Sequence, residues 1–284
     1  MKIGTMVNLG TAHLSEENNE FEEKLKFLNK YGFETCMLNT WIPAMWTDEN
    51  AELLKDLLKK YNISVSALWC GWEGPAVWDF YDGQSTLGLV PPEYRQMRVQ
   101  SLCDGANFAK KLGVTDVITH MGFIPENPLD PNYNGFCVAV RTVAQHLEKN
   151  GQRLLFETGQ ETPTTLMRCF ETVGTSNLGI NLDTGNLILY GKANPVDALD
   201  TLGKYVCNMH AKDGLYPTDG HNLGEEVKIG QGKVDFKALF TKLHELGYDA
   251  HVTIEREITG EQQLQDILDS REYLENIIKE VYGR

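Results

Sequence analysis

The chain has 284 residues, 42% apolar and 23% charged, an ordinary composition that supports a sizeable core without a metal or disulfide staple. Lysine and arginine number 26 against 40 aspartate and glutamate; the resulting net charge of −14 repels a phosphate backbone or an anionic membrane at long range, while a local basic pocket stays open to it. Nucleic acid and membrane are therefore not expected partners, and collagen-like, mucin-like and disordered readings are excluded.

Short apolar strands alternate with longer amphipathic helices from end to end. The first strand runs Lys2–Asn8, and its helix covers 20–31, with Phe21, Leu25 and Leu28 at helical spacing and Gly32 as the stop. Strand 34–39 precedes helix 49–61, whose stripe is Leu53, Leu54, Leu57 and Leu58. Strand 63–69 leads to helix 93–112, opened by Pro91-Pro92 and ended by Gly113, and Asp116–Thr119 is the fourth strand. Helix 133–149, strand Arg153–Glu157, helix 164–173, strand 179–182, helix Pro195–Leu202 and strand 205–210 follow. Helix 236–246, strand 251–255 and helix 261–281 complete the series.

Strict alternation favours a parallel sheet with helical cover. Eight units favour closure into a single-domain (β/α)8 TIM barrel of the α/β class spanning 1–284. An open doubly wound sheet is the runner-up, and no G-x-G-x-x-G follows the first strand to support it. The connections 70–92 and 211–234, after the third and seventh strands, exceed what a barrel loop needs. Both are placed on the C-terminal face, where barrel active sites are built, and are expected to cover substrate.

The six cysteines (Cys36, Cys70, Cys103, Cys137, Cys169 and Cys207) form no C-x-x-C pair, which removes zinc-ribbon and redox-motif readings. The N-terminal strand has no long apolar segment behind it, and no stretch approaches the ~20 apolar residues of a membrane span. The expected setting is cytoplasmic and reduced.

Polar groups close four consecutive strands: Glu157, Asp183, His210 and Glu255. With a period of two, Asp183 shares a face with Asn181, His210 with Asn208 and Glu255 with Thr253, so the polar face is the barrel interior. Three carboxylates converging in a poorly solvated mouth raise one another's pKa or recruit a cation. One imidazole with three oxygen ligands and no thiolate suits one divalent ion, Mn²⁺ first, with Mg²⁺, Co²⁺ or Zn²⁺ as alternatives. Taken singly, each residue reads as a strand terminus bonded to a loop; four in series at one strand position do not.

The segments Glu157-Thr158-Gly159-Gln160-Glu161, Asp183-Thr184-Gly185-Asn186, His210-Ala211-Lys212-Asp213 and Ile254-Glu255-Arg256-Glu257 resemble the xylose isomerase-like barrels, and the resemblance covers essentially the whole chain. That family holds sugar and sugar-phosphate isomerases and epimerases, inosose dehydratase and endonuclease IV. The resemblance implies a role in carbohydrate metabolism: a metal-dependent isomerase or epimerase of a sugar or sugar derivative. Its Glu157, Asp183, His210 and Glu255 would bind the ion, and Glu157 and Glu255 would move a proton through a metal-bound enediolate. A lyase or dehydratase, eliminating from an oxo-sugar or inosose on the same site, is the alternative. The chain departs from the ketose 3-epimerase pattern at Asn186, where that branch has histidine, and at Lys212-Asp213, where it has arginine. Endonuclease IV gathers three zinc ions from many histidines, whereas this mouth supplies mainly His120 and His210; DNA repair and a non-catalytic sugar-binding barrel are weaker readings.

Substrate-binding candidates are His120, Glu161, Asn186, Lys212 and Trp72, with Trp69 as a second flat wall. The bland readings are a histidine bonded under a loop, an acid at a helix N-terminus and ordinary aromatic barrel filling. His13, His146, His221, His244 and His251 read as surface or loop residues, and Glu22-Glu23 and Glu225-Glu226 as solvated surface. Self-association into a homo-oligomer is compatible with the sequence.

Overall fold

The computed structural model describes residues 1–11, 13–16 and 19–283. Its strands are β1 (Lys2–Asn8), β2 (Thr35–Thr40), β3 (Ser64–Cys70), β4 (Asp116–Thr119), β5 (Arg153–Glu157), β6 (Leu178–Asp183), β7 (Val206–Ala211), β8 (Asp213–Gly214), β9 (Glu226–Val227) and β10 (His251–Ile254). All but β8 and β9 pair in parallel and close into an eight-stranded barrel in which β10 returns to β1. The short β8 and β9 pair antiparallel inside the connection after β7.

Helices α1 (Glu20–Lys30), α2 (Asp48–Lys60), α3 (Gly83–Thr86), α4 (Pro92–Lys111), α5 (Pro131–Lys149), α6 (Pro163–Val173), α7 (Thr184–Leu189), α8 (Pro195–Leu202), α9 (Phe236–Glu245) and α10 (Glu261–Tyr282) lie between the strands. Local chemistry sets many of their ends. Asn19 and Thr47 cap α1 and α2 by accepting from the backbone N–H of Glu22 and Asn50, and Lys30, Lys59 and Lys60 sit in last turns where the helix dipole favours them. The barrel and the order of its units match the alternation of the sequence, with many element ends moved by one or two residues. The short α3, α7, β8 and β9 were not anticipated, being too brief to show a period. Among the described residues no helix is long and apolar enough to cross a membrane.

The main apolar core lies between sheet and helices, and a smaller cluster including Met37, Ala67, Trp69, Ile118 and Leu155 fills one side of the barrel interior. Two of the acidic pairs read as solvated surface need correction. Glu22 is buried, accepting from Lys60 Nζ and Tyr61 Oη at 2.7 Å each, and Glu226 meets Arg256 at 2.9 Å. Each has a cation or hydroxyl from a neighbouring element within reach, while Glu23 and Glu225 stay exposed.

One buried ion anchors each long connection. Arg98, on α4 and fully buried, donates to the carbonyls of Glu73, Pro75 and Gly88, and its guanidinium lies 5.1 Å from the Trp72 ring. The same connection packs backbone to backbone against the chain after β4: a Cβ on Gly88 would strike Met121, and one on Gly122 would strike Leu87. After β7, the buried Asp213 carboxylate accepts from the backbone N–H groups of Gly214, Gly230, Gly232 and Val234 at 2.8–3.1 Å.

Candidate metal centre

Strands β5, β6, β7 and β10 end side by side at one mouth of the barrel. Register pairs both Asp183 and Thr253 with His210, so Glu255, one residue past β10, stands two residues beyond Thr253, and its side chain still comes to His210. Asn181, Asn208 and Thr253 lie one step lower on the same inward face, all buried. Glu157 closes β5 beside them.

Three carboxylates surround a single nitrogen. His210 Nδ1 lies 3.0 Å from Glu157 Oε1, 3.1 Å from Glu255 Oε2 and 3.6 Å from Asp183 Oδ2. Its Nε2 faces Met37 Sδ at 3.0 Å. Ligand atoms of the four residues all lie within 4.8 Å of one another. Asp183 Oδ1 is taken by the N–H of Asn186, at 2.7 Å, and so caps α7; Oδ2 is buried with no hydrogen-bond partner. One imidazole nitrogen can give one proton to three acids, and an orphaned buried carboxylate oxygen is costly. The donor set therefore fits a hard divalent cation.

The protonation states show the same strain. Burial and the neighbouring glutamates push the Asp183 carboxyl well above its ordinary value, although Lys212 opposes this. Burial would lower His210, but Glu157 and Glu255 hold it well above the usual imidazole range. Burial would raise Glu157 and Glu255; His120 and His210 keep the first below its ordinary value, and Lys212 and His210 keep the second well below.

A cavity of about 410 Å³ opens over these groups. Trp41, Trp69 and Trp78 form one wall, with Trp41 and Trp69 ring centroids 4.9 Å apart, and Leu189, Tyr190 and Leu223 contribute elsewhere. His120 lines it, with Nε2 3.6 Å from Glu157 Oε1 and its ring 5.0 Å from that of Trp78; burial lowers its pKa. Asn186 lines it too, its Nδ2 3.5 Å from Glu157 Oε1.

The other candidates sit one layer back. Lys212 is buried, with Nζ 2.9 Å from Glu257 and 3.5 Å from Glu255, and reaches the cavity only through those acids. Trp72 lies behind Trp41, its ring centroid 5.1 Å away, and over Arg98. Glu161 is buried with both carboxylate oxygens unpartnered. Sequence reasoning missed Trp41, Trp78 and Glu257, and missed the indole N–H of Trp69, which donates to Glu157 Oε2. Strand parity was the available signal: Trp41 follows inward Asn39 as His120 follows inward Ile118. Of the histidines set aside, His221 stacks on Tyr81 at 5.5 Å, joining the two long connections.

A family model described as Xylose isomerase-like TIM barrel matches residues 25–277. The solved xylose isomerase domain protein from Planctomyces limnophilus is 31% identical, with a TM-score of 0.91 and 99% of each chain covered. A D-tagatose 3-epimerase-like protein is 20% identical, with a TM-score of 0.75, covering 100% of this chain and 99% of its own. A barrel protein from Mycobacterium smegmatis in complex with magnesium is 19% identical, with a TM-score of 0.69, covering 92% and 88%. The last two share the fold. Among curated sequences, an uncharacterized protein of Methanocaldococcus jannaschii is 28% identical over 200 residues, or 65% of this chain. The matched stretch spans 64% of that relative's length, just under two thirds. The matched model and the barrel that superposes end to end on its Planctomyces counterpart place the chain in the xylose isomerase-like TIM barrel family.

Proposed function

We propose that the protein is a divalent-metal-dependent isomerase or epimerase of a sugar or sugar derivative. The observation that carries this reading is the ring of three carboxylates around His210 Nδ1 beneath an aromatic-walled cavity. Glu157, Asp183, His210 and Glu255 would hold the ion; Mn²⁺ is the first candidate, and the magnesium of the Mycobacterium smegmatis protein supports an ion of similar preference. Bound there, a divalent ion supplies positive charge against which a carbonyl oxygen can become negative.

The chain's own groups do the rest. Glu157 and Glu255 approach from β5 and β10, on opposite sides of the β6 and β7 ends, and both are kept ionised by cationic neighbours. Trp69 and Asn186 fix the Glu157 carboxylate, and Lys212 lies against that of Glu255. A carbon beside a carbonyl, lodged between them, would give its proton to one ionised carboxylate; the other, having first taken a proton from solvent, would return it on the opposite face and invert the centre. His120 and Asn186 offer hydrogen bonds to hydroxyls, and Trp41 and Trp69 offer flat faces for the C–H side of a sugar ring.

Elemental analysis and solvent deuterium exchange test the reading. One divalent ion per chain is expected, lost when Asp183 and His210 are both replaced by alanine. Exchange of an α proton in a panel of aldoses, ketoses and oxo-sugars is expected with Mn²⁺. Glu157→Gln and Glu255→Gln should each cut turnover by about 10²–10⁴-fold. Full turnover in either variant removes the two-base assignment; elimination in place of exchange moves the protein to the lyases.

A further inference from the structure

The cavity over the metal centre is short of positive charge. Its charged wall residues are Glu157, Glu255 and Glu257, and among the described residues it presents no lysine or arginine. Lys212, whose ammonium stands against two of these acids, is buried and engaged with Glu255 and Glu257. A neighbouring cavity of about 340 Å³ shares Glu255 and Glu257 and adds Arg256 and Lys24. Arg256 is tied at 2.9 Å to both Glu226 and Asp266, while Lys24 is an exposed residue of α1 on the far side of that second space.

Backbone sites for an anion are taken as well. Barrels commonly hold phosphate with the loops after the seventh and eighth strands and a nearby helix N-terminus. Here the glycine-rich turn after β7 points four N–H groups inward, and the chain's own Asp213 carboxylate fills that nest. The first turns of α6, α7, α8 and α9 donate to Thr162, Asp183, Asn194 and Asp235. Helices α4 and α10 have no side-chain cap, but Glu93 and Glu261 stand in their first turns.

Resting on the isomerase reading, we infer that the substrate is a neutral sugar, free of phosphate and carboxylate, and that the charge of the site excludes phosphorylated counterparts. The indole wall binds the apolar face of a sugar ring, and the acids accept from its hydroxyls; neither offers a dianion anything but repulsion.

The test uses the full chain loaded with Mn²⁺ and pairs of sugars differing only by phosphate: D-fructose with D-fructose 6-phosphate, D-tagatose with D-tagatose 6-phosphate, D-ribulose with D-ribulose 5-phosphate. Quenching of tryptophan fluorescence reads binding, and solvent deuterium exchange reads chemistry. Neutral members are expected to bind at least about tenfold more tightly than their partners. Phosphorylated sugars that bind as well or better overturn the inference; if they also exchange a proton, the isomerase reading stands without it. Neutral binding without exchange keeps the inference and removes the isomerase reading. Failure of every neutral sugar to bind overturns the inference. A second variant, Leu223→Arg, sets a guanidinium on the half-buried cavity wall and should narrow the gap by about threefold or more. An unchanged gap shows that missing positive charge is not the cause of the discrimination.

Discussion

Replacing Glu161 by glutamine should stabilise the protein, and increasingly so as pH rises. The residue is buried in the β5–α6 connection, both its oxygens lack a hydrogen-bond partner, and burial pushes its pKa from 4.5 up to about 8. An unfolded chain ionises Glu161 near 4.5, whereas the folded protein holds the proton to about 8. Stability is therefore fully present below 4.5 and is lost as pH climbs through that window. At about 1.4 kcal/mol per pH unit, the loss reaches about 2 kcal/mol at pH 6 and about 4 kcal/mol at pH 8. Glutamine has the same shape and no proton to lose, so the variant escapes the loss. Wild type and variant are compared by thermal melting at both pH values; the difference between them cancels every other titrating group. At about 2 °C per kcal/mol for a chain of this size, the variant should lead by about 4 °C at pH 6 and about 8 °C at pH 8. A lead that does not widen, or a variant less stable than wild type at pH 8, would show Glu161 ionised and paired in the fold.

Other perturbations address the centre and the connections around it. Trp69→Phe keeps an aromatic wall but removes the N–H on Glu157; a bond to a charged group is worth about 1.5–3 kcal/mol, so kcat should fall about 10–100-fold, and unchanged kcat refutes a positioning role. Mn²⁺ must displace the protons that Asp183 and His210 hold with their raised pKa values, so uptake should release protons and tighten as pH rises. Calorimetry in two buffers of different ionisation enthalpy measures this, and zero release contradicts the assigned protonation. Asp213→Ala orphans four backbone N–H groups and should cost about 3–5 kcal/mol, opening the connection after β7 to limited proteolysis. Unaltered protease resistance would mean that other contacts hold the loop.

Strand parity made the centre readable from the sequence. Once Asn181, Asn208 and Thr253 are set facing inward, Asp183, His210 and Glu255 must follow two residues later, and Glu157 closes the strand alongside. The structure brings these four together because, above a register shift between Ile180 and Asn181 in the β6–β7 pair, the ladder holds Asn181 opposite Asn208 and Asp183 opposite His210, with Glu157 opposite Asn181 on the other side. Outside the ladder there is no period to follow. Trp78 reaches the cavity from a connecting segment, and the path of a loop depends on contacts distant in sequence, such as Arg98 with Glu73 and Pro75. Charged pairs were misread for a related reason. Glu22 and Glu23 are adjacent in sequence but point 100° apart on α1, so one meets Lys60 and Tyr61 while the other meets solvent and Lys26. Nothing local marks Glu226 as the partner of Arg256, 30 positions along. Lys212 and Asp213 are adjacent too, yet one supports the acids of the mouth and the other a loop behind it.

The anchoring of the β3 connection by Arg98 has a consequence for how such a site can vary. The three carbonyls it gathers belong to the segment carrying Trp72 and leading to Trp78, but the guanidinium itself is rooted in α4, in the outer layer of the barrel. The tryptophan wall thus hangs from the shell as well as from the strands. Drift at the exposed tip of the segment, around Tyr81, can reshape what the cavity admits while its attachment stays put. A change in how α4 seats on its neighbours would instead tilt the wall as a whole, altering selectivity from a place that no substrate ever touches.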